Sequence, residues 1–142
     1  TQVDLSGNQL ATIPDSLFRG LPQLTLVNLN GNVLTRLPNT LLQTNPLVAS
    51  FSAAQNQIYQ IGRTFLQPVP SLLFLNLQNN HCVNQNWNNI GGVGGPTRDQ
   101  INIILDPCFA NYTSPTEIRE FGMELRGTMT LYDMDGNFIG RL

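Results

Sequence analysis

Apolar and polar positions recur at a fixed interval over about residues 1–80. Asn8, Asn32, Asn56 and Asn80 stand 24 residues apart, and apolar residues keep their places around each of them. The aligned segments are VDLSGNQL (3–10), VNLNGNVL (27–34), FSAAQNQI (51–58) and LNLQNNHC (75–82). Alternation before each asparagine predicts a short strand with one buried face. One such unit cannot bury its apolar face alone, so the period predicts a solenoid of stacked units.

The repeat resembles the leucine-rich repeat family, whose pattern is LxxLxLxxNxL. Four consecutive segments match this pattern in register. The resemblance implies an α/β solenoid with a curved parallel β-sheet built from four 24-residue repeats. We expect the recurrent asparagine to have a structural role, because its amide can satisfy backbone groups in the turn that leaves the strand.

Three segments are expected along the chain. They are leucine-rich repeats over 1–80, a C-terminal cap with a disulfide over 81–113, and a β-hairpin tail over 114–142. The first repeat starts inside its strand, and the last strand stops at Leu142. We therefore expect either further repeats N-terminal to Thr1 in a longer protein or ends that are covered by another chain, because solenoids need caps.

Residues that alternate with the buried strand positions form three exposed columns on the expected sheet. The columns are Asp4, Asn28, Ser52 and Asn76; Ser6, Asn30, Ala54 and Gln78; and Gln2, Leu26, Ser50 and Phe74. In leucine-rich repeat proteins the concave sheet face is often the ligand surface, and the alternative is a merely solvated face. The resemblance thus implies ligand binding at Asp4, Asn28, Asn30, Ser52, Phe74, Asn76 and Gln78. Only Asp4 is charged among the twelve column residues. The expected partner is therefore a protein or glycan with a neutral surface.

Residues 83–96 abandon the period and form a Gly- and Asn-rich loop, after which a helix is expected. Thr97 and Gln100 have capping-box spacing, and Pro107 is expected to end the helix. Its apolar face is predicted from Ile101, Ile104, Leu105 and Cys108, which follow at helical spacing. This places Cys108 over the open end of the last repeat.

Extracellular members of the family commonly close the solenoid with a cysteine-bearing cap, often with four cysteines where this chain has two. By this resemblance we expect a Cys82–Cys108 disulfide. The alternatives are two free buried thiols or, with His81, a zinc site that lacks a fourth ligand. Asn111-Tyr112-Thr113 is a glycosylation sequon, and the sequon and the cysteines together indicate secretion. Trp87 is expected to plug the end of the solenoid rather than to stack on sugars.

The tail shows period-two alternation that favours a strand over about 121–132 against a helix starting near Ser114. Residues 133–137 are interpreted as a hairpin turn with Gly136 in the left-handed conformation, in preference to a calcium loop. This turn would set Leu131 opposite Ile139 and Tyr132 opposite Phe138.

Charge and composition narrow the classes of partner. Only 11% of residues are charged, lysine is absent, and 17 Asn and 11 Gln supply polar character. Seven scattered arginines do not form a basic stripe, which argues against nucleic acid. No apolar stretch approaches the ~20 residues that span a bilayer. No signal peptide opens the chain, so a processed or trimmed product is expected.

The motifs of catalysis are also missing, so the sequence predicts no enzyme, no cofactor and no metal site. The leading hypothesis is a non-enzymatic extracellular recognition module. FSAAQNQIYQIGRTFL (51–66) and NNHCVNQNW (79–87) are similar to short secreted arthropod leucine-rich repeat proteins, which implies adhesion or innate-immune recognition. The alternative is a homo-oligomer, a self-assembling unit of an extracellular filament or matrix that joins through open solenoid and strand ends.

Overall fold

The computed structural model describes residues 1–113, 130–132 and 138–141. These residues divide into two compact units, Thr1–Tyr112 and Thr113–Leu142. The first unit contains β1 (Gln2–Asp4), β2 (Leu26–Asn28), β3 (Arg36–Leu37), β4 (Ser50–Ser52), β5 (Gln60–Ile61), β6 (Phe74–Asn76), β7 (Asn86–Trp87) and α1 (Arg98–Asn111). The second unit contains β8 (Thr130–Tyr132) and β9 (Phe138–Arg141).

The main sheet of the first unit is built from one short strand per period. Its order is β1-β2-β4-β6-β7, and the first four strands run parallel. Their register joins residues 24 positions apart, so that Val3, Val27, Phe51 and Leu75 stand side by side. A second, two-stranded parallel sheet joins β3 to β5 with the same offset. The stacked parallel strands predicted from the period are therefore present.

The core lies behind the middle residue of each strand. Val27, Phe51 and Leu75 are buried, whereas the residues on either side of them are half-buried or exposed. Phe51 meets Phe65 of the returning segment edge to face, with 5.2 Å between ring centroids. Such aromatic pairs stabilise a core beyond the area that they bury. The alternation in the sequence thus marks the buried face of the sheet correctly.

The interpretation of residues 83–96 as a loop missed a strand. β7 runs antiparallel to β6, with Leu75 opposite Trp87 and Asn76 opposite Asn86. Trp87 is buried within the same core cluster, as expected for a plug and not for a sugar platform. A two-residue strand is too short to show alternation, so no local pattern could have indicated it.

The helix α1 is fixed to the repeats at both of its ends. The capping box is present, because Gln100 N donates to Thr97 Oγ1 at 3.1 Å and Thr97 N donates to Gln100 Oε1 at 2.8 Å. The Arg98 guanidinium donates to the carbonyl oxygens of Leu66 and Val69. Toward the other end, the predicted Cys82–Cys108 disulfide is formed.

Two predictions about this helix were wrong. The helix does not end at Pro107 but continues to Asn111. Proline removes one backbone hydrogen bond, and the buried Leu105, Cys108 and Phe109 on either side hold the helix together across it. Ile104 is 41% exposed and does not belong to the buried face.

The second unit contains an antiparallel hairpin with an irregular register. Tyr132 pairs with Phe138 as predicted, but Leu131 pairs with Gly140 and not with Ile139. The register shifts between Leu131 and Tyr132, which leaves Ile139 as the extra residue of a β-bulge. The predicted strand over 121–129 and the turn at 133–137 lie outside the described residues.

Candidate functional site

The recurrent asparagines join each repeat to the one before it. Asn56 Nδ2 donates to the carbonyl oxygens of Leu29, at 3.0 Å, and Ala53, at 3.1 Å. Its Oδ1 accepts from Leu34 N at 3.0 Å. Asn32 and Asn80 make the same bonds one repeat to either side. We call these three residues the asparagine ladder, and their bonds confirm the predicted structural role.

The predicted binding residues lie on the side of the main sheet that faces away from the core. The register places Asp4, Asn28, Ser52 and Asn76 next to one another on four successive strands. The other three are Asn30, Phe74 and Gln78. We call these seven residues the sheet face. Phe74 is half exposed and is the large apolar side chain among them.

Three members of the sheet face use a side-chain oxygen to cap the turn that follows their strand. Asn28 Oδ1 accepts from Asn30 N at 3.0 Å, and Asn76 Oδ1 accepts from Gln78 N at 3.1 Å. Asp4 Oδ1 accepts from Ser6 N at 3.0 Å in the same way. A backbone N–H can only donate, so the oxygen of each amide must face the turn. The Nδ2 groups of Asn28 and Asn76 consequently point away from the turns.

Asn30 performs this capping function for the neighbouring repeat. Its Oδ1 accepts from Ala54 N at 2.7 Å and from Ser52 Oγ at 2.5 Å. Ser52 stands where the adjacent strands carry Asn28 and Asn76, and Asn30 supplies the acceptor oxygen in its place. Ala54, expected in an exposed column, is buried behind this contact.

The electrostatics of the sheet face follow from these bonds. Hydrogen bonds from the Ser6 hydroxyl and the Ser6 backbone N–H hold the pKa of Asp4 below its ordinary value. Asp4 therefore stays ionised at neutral pH, at the β1 end of the sheet. No acceptor within the described residues receives a bond from Nδ2 of Asn28 or Asn76. The face thus offers amide donors beside a single carboxylate.

The predicted glycosylation site lies outside the sheet face. Asn111 is the last residue of α1 and is exposed, and its Nδ2 donates to the Tyr59 carbonyl oxygen at 2.9 Å. Both cysteines are in the disulfide, so neither supplies the thiolate that a zinc site with His81 would need. Within the described ranges, no three His, Cys, Asp or Glu residues come together to hold a metal ion.

Sequence reasoning missed the contacts that attach the end of α1 to the repeats. The Tyr112 ring lies 4.7 Å from the Arg36 guanidinium carbon, and its hydroxyl accepts from Asn39 N at 3.2 Å. Arg63 stacks on Phe109 at 5.3 Å in the same manner. These partners are far apart in the sequence, so no local spacing could have predicted that an arginine would lie above an aromatic ring.

The stacked parallel strands, the 24-residue register and the asparagine ladder define a leucine-rich repeat solenoid. Residues 1–58 match the family model described as "Leucine rich repeat". This part of the chain is therefore similar to the leucine-rich repeat family. No curated protein matches it.

Two similar solved structures are of the Toll–Spatzle complex, "a molecular hub in Drosophila development and innate immunity", one of them in a glycosylated form. Identity is 28% in both, with TM-scores of 0.55 and 0.54. The matches cover 56% of this chain and 10% and 11% of those chains, so this chain spans about a tenth of their length. Among the described residues, no helix has both the length and the apolar character needed to cross a bilayer.

Proposed function

We propose that this chain is a non-enzymatic extracellular recognition module that binds a protein partner through its sheet face. The observation that carries the proposal is the fixed orientation of the amides of Asn28 and Asn76. Their oxygens are committed to the turns, so the groups left for a partner are N–H donors. Donors held in place by the fold need no reordering when they bind.

The chemistry of the sheet face specifies the complementary surface. A partner must bring hydrogen-bond acceptors, such as backbone carbonyls, opposite Asn28 and Asn76. Phe74 adds an apolar contact beside them, since it is half exposed. With Asp4 as the only charge of the face, the interaction gains little from electrostatic steering and should depend weakly on salt.

The extracellular assignment rests on the disulfide of the cap. The Cys82–Cys108 disulfide is typical of proteins from oxidising compartments. The similar structures are of a complex between Toll and Spatzle, and these comparisons favour a protein over a small molecule as the partner.

Exchanging donors for acceptors on the sheet face tests this function. In the double variant Asn28→Asp/Asn76→Asp, each carboxylate can still cap its turn, as Asp4 does for Ser6. The outward group becomes an acceptor. Random peptides displayed on phage are selected against the immobilised wild-type chain, and their affinities are then measured with each variant. We expect at least about a tenfold loss, which corresponds to one hydrogen bond of roughly 1.4 kcal/mol.

The matched control adds the same two charges away from the sheet face. Gln43 and Gln57 are exposed, and neither side chain belongs to the face. Gln43→Glu/Gln57→Glu should leave the affinities unchanged. If the selected peptides bind the Asn28/Asn76 variant as tightly as the wild type, the recognition surface lies elsewhere.

We further propose that Asn111 is glycosylated in a secretory host. Its Nδ2 donates to Tyr59 O in the folded chain, so the transfer should occur before α1 packs on the repeats. A glycosylated amide keeps one N–H, which preserves this bond. Intact mass spectrometry should show a glycan on the wild type and none on Asn111→Gln. An unmodified wild-type mass from such a host would contradict the proposal.

A further inference from the structure

Two arginines line one small cavity between α1 and the segment that follows β5. The cavity has a volume of about 90 Å³. Its lining consists of Arg63, Leu66, Gln67, Arg98 and Asn102. Both charged residues of this lining are cations, and its two side-chain amides can donate hydrogen bonds as well. We call this space the arginine cavity, and its lining is suited to one anionic group.

The Arg98 guanidinium is held in place at the arginine cavity. Its two terminal nitrogens donate to the carbonyl oxygens of Leu66 and Val69, and further N–H groups of the guanidinium remain for a ligand. Partial burial lowers the pKa of Arg98, because the charged form loses contact with water. Among the residues that the structure describes, no carboxylate lies within ion-pair distance of it. An anion beside this half-buried cation would offset the cost of its burial.

Arg63 is the second cation of the arginine cavity, and the Phe109 ring supports it. The guanidinium carbon lies 5.3 Å from the ring centroid. Asp106 pairs with Arg63 at 3.9 Å, but the two side chains are 66% and 69% exposed. Exposed ion pairs contribute little free energy, so an incoming anion can take the place of Asp106. The N–H groups of a guanidinium form a planar fork that matches the oxygens of a phosphate or sulfate group.

A larger cavity continues from the arginine cavity along α1. Its volume is about 480 Å³, and Arg63, Gln67 and Asn102 line both cavities. Its lining is completed by Ile103, Asp106 and Phe109. The carboxylate and the two amides can form hydrogen bonds with hydroxyl groups, and the exposed Ile103 provides an apolar contact. These groups suit the ring of a sugar, which carries hydroxyls around an apolar face.

We propose that the two cavities form one binding site for a sugar that carries a single phosphate or sulfate ester. The ester group lies between Arg63 and Arg98 in the arginine cavity, and the sugar lies in the larger cavity. The ligand carries one such group and is not a polyanion, because the seven arginines of the chain do not form a basic stripe. No residue of this site belongs to the sheet face, so the site is separate from the proposed recognition surface.

Titration of the 142-residue chain with glucose 6-phosphate and with glucose 6-sulfate tests this site. At fixed ionic strength, the arginine Nε–H signals in NMR spectra report binding at the guanidinium groups themselves. The signals of Arg63 and Arg98 should move to saturation, with a Kd of about 1 mM or below for at least one ester. Glucose, inorganic phosphate and inorganic sulfate should each bind at least about tenfold more weakly, because each fills only one of the two cavities. The ester with the lower Kd identifies the anionic group.

Three variants separate the contributions of the charges. Arg63→Gln should weaken ester binding at least about tenfold, because the anion loses a charged donor. Asp106→Asn should strengthen it by about threefold, because the carboxylate no longer competes for Arg63. Arg19→Gln is the matched control, since Arg19 is an exposed arginine outside both cavities, and it should bind as the wild type does. Thermal melts should show that all three variants fold.

Three results would overturn the proposal. The first is that the signals of Arg63 and Arg98 do not move at up to roughly 20 mM of either ester. The second is an Arg63→Gln variant that binds the ester as tightly as the wild type does. The third is an inorganic anion that binds as tightly as its sugar ester, since the larger cavity would then contribute nothing.

Discussion

Asn56→Ala is expected to lower the free energy of unfolding by about 2–4 kcal/mol, as urea unfolding of the wild type and the variant would measure. The side chain is buried, and its loss leaves the N–H of Leu34 without a partner. The carbonyl oxygens of Leu29 and Ala53 each lose one bond and keep another, from Asn32 and Asn80 respectively. An unsatisfied buried group costs roughly 1–3 kcal/mol, and each lost second bond adds a smaller amount. The effect should be large for a single amide because the N–H of Leu34, a fully buried residue, loses the bond that Asn56 supplies.

Asn8→Ala is the matched control for this prediction. Asn8 occupies the same place in the first repeat but is exposed, and its amide bonds only to Leu5 O and Ser6 O of its own turn. Water can take over both bonds, so the loss should stay within about 1 kcal/mol. Equal losses for Asn8→Ala and Asn56→Ala would show that the cross-repeat bonds contribute nothing beyond the local turn.

Removing the disulfide is the second large change. The double variant Cys82→Ala/Cys108→Ala is expected to lose roughly 3–4 kcal/mol, from the chain-entropy estimate for a loop closed across a sequence separation of 26 residues. Alanine is chosen because Cys108 is buried and a serine hydroxyl there would lack a partner. Urea unfolding measures the total loss. Hydrogen exchange should show α1 opening before the repeats.

Reduction of the wild type provides the comparison. Reduced wild-type protein and the double alanine variant should unfold at similar urea concentrations, because both lack the same cross-link. The contacts of Arg98 with Leu66 and Val69 hold only the first turn of α1. A loss below about 1 kcal/mol in both samples would mean that packing alone secures the helix, against the entropic account of the cross-link.

The repeat was predictable because, in a solenoid, equivalent positions of successive repeats are buried to a similar degree. Every unit meets the same environment, so the alternation around Val27, Phe51 and Leu75 marks the same buried position each time. The asparagine ladder was predictable for the same reason. An asparagine that recurs at each turn is expected to form hydrogen bonds with backbone groups of the turn, because those groups have no partners within their own strand.

The cap was less predictable because long-range contacts outweigh local preferences there. Pro107 favours a helix end, yet the buried Cys108 and Phe109 beyond it keep the helix intact. β7 forms because the edge of β6 provides backbone groups with which it can pair. A strand of two residues is too short to show an alternating pattern in the sequence. Similarly, the bulge that moves Leu131 opposite Gly140 depends on the partner strand.

The sequence by itself determined the period, the buried strand positions, the ladder asparagines and which residues could form a nearly uncharged face. Alternation and spacing are local properties, and they suffice for these features. Only the tertiary structure decided which atoms of that face remain free. The oxygens of Asn28 and Asn76 turn inward to backbone N–H groups, and that of Asn30 reaches the neighbouring repeat. Which amide atoms are already hydrogen-bonded depends on neighbours in space. The sequence shows that an asparagine is present, but it does not show whether the oxygen or the NH₂ group of its side chain is free to bind a partner.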